Sequence, residues 1–149
     1  MHESLVTKLA TFERIYKMVS EMPIELTLLI WAAALTLIQM IISALGSVSQ
    51  IGLTTLAGNR DNLADTTGWA SRAQRAHRNM LESIAVFAIL VLSANSMNIS
   101  NDITVLGAQL FFWGRLAFSI IYLAGIPWLR TAAWGVSLAG LVLIFSQLI

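Results

Sequence analysis

The 149-residue chain contains no cysteine. That excludes a disulfide framework, a thiolate metal site and a cysteine nucleophile, so any thiol chemistry here needs a thiol brought in by a substrate. No other residue group reads as a metal site. Charge is scarce as well: only 11% of residues are charged, where a soluble domain carries about a quarter. Nine Lys and Arg against eight Asp and Glu leave a net charge of +1, too small an excess to expect nucleic acid as a partner. Residues 1–23, MHESLVTKLATFERIYKMVSEMP, mix acids with bases and have no apolar centre before a cleavage site, so they do not read as a signal peptide.

What the chain has in abundance is hydrocarbon. Hydrophobic residues make up 57% and the mean hydropathy is +0.75. A bilayer core about 30 Å thick needs roughly 20 apolar helical residues per crossing. Four segments qualify, 24–45, 79–94, 103–125 and 131–149, the second only in part. The links SMNISND and AGIPWLR are short, which makes neighbouring helices antiparallel. The expected fold is an all-α integral membrane protein, a four-transmembrane-helix up-down bundle over residues 23–149.

Residues 1–22 place Leu5, Leu9, Phe12, Tyr16 and Val19 on one helical face and read as an amphipathic segment lying in the membrane interface. Pro23 suits the start of the first span, and Glu25 is a carboxylate tolerated at a helix beginning, with no catalytic role. Gly135 and Ala139 form a small-xxx-small pair suited to close helix contact. The one long hydrophilic loop is 46–68, with Gly58, Asn59, Asp61 and Asn62 as turn formers. The bases Arg60, Arg72, Arg75 and Arg130 lie on the loop side, against Lys8, Arg14 and Lys17 on the other, a small bias that puts the loop in the cytoplasm.

Charge concentrates in WASRAQRAHRNMLESIAVF, residues 69–87. At 100° per residue, with Arg75 as zero, Arg72 falls near about +60°, Arg78 near about −60°, Asn79 near about +40° and Glu82 near about −20°. These five share a sector of about 120°, while His77 lies on the opposite face. They form a stripe roughly 15 Å long. Arginines at a membrane border can snorkel to headgroups, but an asparagine and a glutamate a turn deeper on the same face do not fit that role. Ionisable groups inside a span normally face a partner, a cavity or a pathway. In the third span Arg115 shares a face with Ser119 and Tyr122, bordered by Phe118, and can serve either as a partner for Glu82 or as a ligand contact. Arg130 and Thr131 open the fourth span on the loop side.

Together these residues suit a small anionic ligand carrying one amine. Arginines grip carboxylates bidentately, and Glu82 or Asn79 takes the amine. Glutathione fits that description, and so does a phospholipid headgroup; charge matching does not choose between them.

RAHRNMLE at residues 75–82, with the segments RLAFSIIY and PWLRT and the four-span hydropathy, resembles the MAPEG superfamily of membrane-associated proteins in eicosanoid and glutathione metabolism. The GNRD loop resembles its bacterial branch, which implies the bacterial inner membrane. The resemblance covers about residues 24–149. It implies a homotrimer binding glutathione at subunit interfaces on the cytoplasmic side, with Arg72, Arg75, Arg78, Asn79, Glu82, Arg115 and Tyr122 as the glutathione-binding set. Arg130 would stabilise the glutathione thiolate with Thr131 beside it, where several members have serine. Two departures stand out: Phe118 occupies a position where some members have histidine, and Gln50 and Gly52 stand where some have a base.

The implied activity is a glutathione-dependent membrane transferase, with peroxidase side activity, acting on hydrophobic small molecules or lipids that partition into the bilayer. The superfamily also includes a non-catalytic member that presents lipid, so a lipid- or glutathione-binding module is the alternative. A transporter reading is weak, because the polar residues cluster at one membrane side and the distal halves of the second and fourth spans contain nothing ionisable.

Overall fold

The computed structural model describes residues 7–13, 22–59 and 63–149. Four long helices dominate: α1 Ile24–Ile51, α2 Gly68–Ser96, α3 Asp102–Ala124 and α4 Pro127–Phe145. All four are long and apolar enough to cross a membrane. A single helical turn and a half, Leu53–Ala57, follows α1. Among the described residues there is no strand, and the chain runs up-down-up-down as expected.

The helices are longer than hydropathy alone suggests. At 1.5 Å per residue, α1 and α2 measure about 42 and 44 Å, beyond the 30 Å hydrocarbon core. Their extra turns lie on the loop side, where Gly46 of α1 packs against Ala70 of α2. The polar residues 68–78 are therefore the first turns of α2. Residues 46–51, read as loop, continue α1. The amide of Gln50 closes the intervening connection by bonding both backbone groups of Thr67, donating to its carbonyl at 3.1 Å and accepting from its N–H at 2.9 Å.

Helix ends follow local chemistry. Asn101 caps α3 with its side chain, and Thr104 returns the bond to the Asn101 N–H in a capping box. Gly125 ends α3 in the left-handed conformation (φ 82°), with Ile126 N–H reaching back to the Ile121 carbonyl, the Schellman pattern. Pro127 then opens α4, where its missing N–H costs nothing.

The interior is small and tightly layered. Phe87 of α2 stacks on Phe111 of α3 with ring centroids 4.0 Å apart, and Ala32, Met80, Val91, Leu141 and Ile144 pack around them. The closest pair is α3 with α4. A Cβ on Gly107 would stand 2.7 Å from the Gly140 carbonyl oxygen, and one on Gly114 would stand 2.9 Å from the Ser137 nitrogen. Close approach thus uses Gly107, Gly114, Ser137 and Gly140. Gly135 and Ala139 do not take part: a Cβ at Gly135 would meet nothing within 4 Å, and Ala139 is exposed. Large apolar side chains such as Trp31, Ile41, Ile89, Trp113 and Val142 cover the outside, as a bilayer requires.

Of the N-terminal segment, residues 7–13 are helical, with Leu9 and Phe12 exposed. Leu5, Arg14, Tyr16, Lys17 and Val19, and Arg60, Asp61 and Asn62 of the loop, lie outside the described residues.

Candidate functional site

The polar stripe sits where α2 emerges beside the end of α3 and the start of α4. Arg72 donates through Nε to the Leu123 carbonyl at 3.0 Å, one of the carbonyls that a helix end leaves without an intrahelical partner. A guanidinium there also faces the negative end of the α3 dipole. Arg72 is therefore held as a cap on α3.

Tyr122 is the hub. Its hydroxyl accepts from Arg75 Nε at 3.2 Å, and the Arg130 guanidinium lies over its ring, 4.6 Å from the centroid. Arg75 also bonds Ser71 one turn earlier. Guanidinium over an aromatic face is a favourable cation–π geometry, so one phenol from α3 gathers a cation from α2 and another from α4. Phe118, buried beneath it, meets the Tyr122 ring edge-to-face at 5.3 Å. Thr131 is exposed and its hydroxyl bonds back to the Pro127 carbonyl of its own helix at 3.3 Å.

Deeper, Arg115 is buried and donates to the Asn79 side-chain oxygen. Its guanidinium lies between the rings of Phe111 and Phe118, at 5.6 and 5.7 Å. The hydrogen-bond partner of Arg115 is thus Asn79 and not Glu82. One turn back toward Tyr122, Ser119 accepts from Gln39 Nε2 of α1 at 2.7 Å, so a short ladder of buried polar groups links three helices.

The stripe is divided lengthwise. Its inner edge, Arg72, Arg75 and Asn79, is engaged by α3. Its outer edge, Arg78 and Glu82, is exposed and makes no hydrogen bond or ion pair among the described residues, side by side with the bare apolar positions Leu81, Val86 and Ile89. His77 lies apart from the stripe, half-buried, with Nδ1 lacking a partner among the described residues.

Sequence reasoning gave no packing role to three polar residues that the fold puts to use: Gln50, Gln39 and Glu25. Glu25 is buried, and its Oε1 accepts from Thr104 at 2.6 Å and Ser100 at 3.0 Å. Its apolar neighbourhood in sequence was the available signal, since a buried carboxylate needs donors; which donors was not readable, because they come from about 75 residues away.

No curated protein and no solved structure matches the chain. A family model does, over residues 28–149, and this span takes in α2, α3 and α4 whole, α1 apart from its first four residues, and every residue of the stripe. With four membrane-spanning helices over that same stretch, the chain is an integral membrane protein that belongs to the MAPEG family.

Proposed function

We propose that this chain is a glutathione-dependent membrane transferase, working as a homotrimer, that joins the glutathione thiolate to hydrophobic electrophiles dissolved in the bilayer. The observation that carries the reading is the outer edge of the stripe. Arg78 and Glu82 lie exposed on a membrane-spanning helix with no hydrogen bond or ion pair among the described residues, and ionisable groups on such a helix normally face a partner. A neighbouring subunit and a zwitterionic peptide between the two would supply it. Arg75 and Arg78 offer forked donors for carboxylates, and Glu82 offers an anion for the ammonium.

Arg130 is the residue assigned to the sulfur. A guanidinium beside a thiol favours the thiolate and lowers its pKa, which raises the concentration of nucleophile at neutral pH. The Tyr122 face holds the Arg130 head in position, and Thr131 stands on the next residue. With an aryl halide as electrophile, the sulfur bonds to the ring carbon, the carbon–halogen bond breaks and halide leaves. The loop side, carrying Arg72, Arg75 and Arg130, is assigned to the cytoplasm.

One observation favours a second reading, a non-catalytic glutathione- or lipid-binding module. Where some family members have histidine, Phe118 is buried hydrocarbon against Tyr122, and the Thr131 hydroxyl is engaged by its own helix. Turnover separates the two. Purified protein is assayed with glutathione and a chromogenic aryl halide, alongside Arg130→Ala. The transferase reading expects conjugation that falls at least about tenfold in the variant, the rate equivalent of a lost contact of about 1.4 kcal/mol. Equal rates would remove Arg130 from its role, and no turnover with intact glutathione binding would leave the binding module.

A further inference from the structure

At the end of the bundle opposite the stripe, about 28 Å along α2 from Arg75 to Ala94, the chain encloses a second polar feature. Glu25 is only 4% exposed. Both bonds that it accepts, from Thr104 and Ser100, go to Oε1, and Oε2 is buried without a partner among the described residues. Buried carboxylate oxygens are normally satisfied, because leaving one bare costs several kcal/mol or more. Glu25 also lines a cavity of about 180 Å³. Leu26, Val91, Ala94 and Ile99 give the cavity apolar walls, and Asn95 and Asn98 add amide groups.

The local backbone builds this hollow. Asn98, two residues past the end of α2, takes the left-handed region (φ 55°), which asparagine tolerates. Ile99 N–H then bonds back to the Ala94 carbonyl at 2.9 Å and Asn98 N–H to the Asn95 carbonyl at 3.1 Å. That turn folds Ile99 and Ser100 over the start of α1.

We propose that this cavity is a binding site for a primary ammonium group on a short apolar stem, with the Glu25 carboxylate in its wall as the counter-ion. One fixed carboxylate matches one positive charge, and amide oxygens on Asn95 and Asn98 can take further N–H donors of an ammonium. The apolar walls suit an alkyl stem. A hard divalent cation is a poor occupant, since calcium takes six to eight oxygen ligands and magnesium a near-ideal octahedron. The ammonium can come from an ethanolamine lipid headgroup or from a free alkylamine.

The test is thermal unfolding of the detergent-purified full chain, followed by tryptophan fluorescence, with n-butylammonium chloride or its neutral counterpart butan-1-ol. Butylammonium should raise Tm saturably, by about 5–10 °C at a hundredfold excess over Kd, whereas butanol should not. Glu25→Gln, which keeps an acceptor for Thr104 and Ser100, should abolish the rise. Ile99→Trp, which fills the cavity and leaves the carboxylate in place, should abolish it too, so the idea remains testable even where Glu25→Gln fails to fold. In phosphatidylcholine nanodiscs, phosphatidylethanolamine should stabilise the wild type alone if the source is lipid; butylammonium should act there unaided if the source is free amine. Equal responses to amine and alcohol, an undiminished response in either variant, or no response at all would overturn the proposal.

Discussion

A guanidinium inside a membrane-spanning helix depends on whatever accepts its hydrogen bonds, and Arg115 finds one side-chain acceptor, Asn79, among the described residues. Replacing Asn79 by Leu removes that acceptor from a buried charge, and losing a hydrogen bond to a charged group costs about 1.5–3 kcal/mol. Unfolding of Asn79→Leu in detergent should show a loss of that order, and adding Arg115→Met should recover most of it. A single variant as stable as the wild type would mean that Arg115 finds its partners elsewhere. Tyr122→Phe is milder. It deletes the oxygen that positions Arg75 and keeps the ring under Arg130, so stability should fall by about 1 kcal/mol. Glutathione affinity, measured by calorimetry, should weaken by about two- to tenfold, the equivalent of one modest hydrogen bond.

Among the elements, α3 and α4 approach so closely that neither Gly107 nor Gly140 has room for a methyl group. Gly140→Val should therefore force the pair apart and lower the detergent unfolding temperature strongly. Gly135→Ala, the same kind of change five residues earlier, should leave it unchanged or raise it, because alanine is the better helix former by about 0.5–1 kcal/mol and meets open space there. Equal losses in both would contradict the packing described. The four spans were legible in the sequence because each is a long apolar run, a property of one segment at a time. Which small residues face a neighbour was not, since Gly135–Ala139 and Gly140 differ only in angle around α4, and that angle is chosen by packing with α3. The end of α1 was missed for a related reason: residues 46–51 stand beyond the long apolar run, and polarity there resembles a loop. Angular spacing did gather Arg72, Arg75, Arg78, Asn79 and Glu82 into one stripe. Its division into an engaged edge and a bare edge depends on where α3 lies, and so does the pairing of Glu25 with Ser100 and Thr104.

The molecule as a whole is a thin bundle with charged groups on one flank. Its interior is filled by side chains, while Arg78 and Glu82 are exposed beside apolar surface. Such a flank is unsatisfactory against lipid and becomes reasonable against further copies of the chain, and a trimer is the assembly that native mass spectrometry should detect. The most direct measurement of the central claim is calorimetric titration of the folded, detergent-purified protein with glutathione. Saturable binding, weakened at least about tenfold in both Arg78→Ala and Glu82→Ala, is the predicted result; a folded wild type that takes up no glutathione, or variants that bind it as well as the wild type, would contradict it.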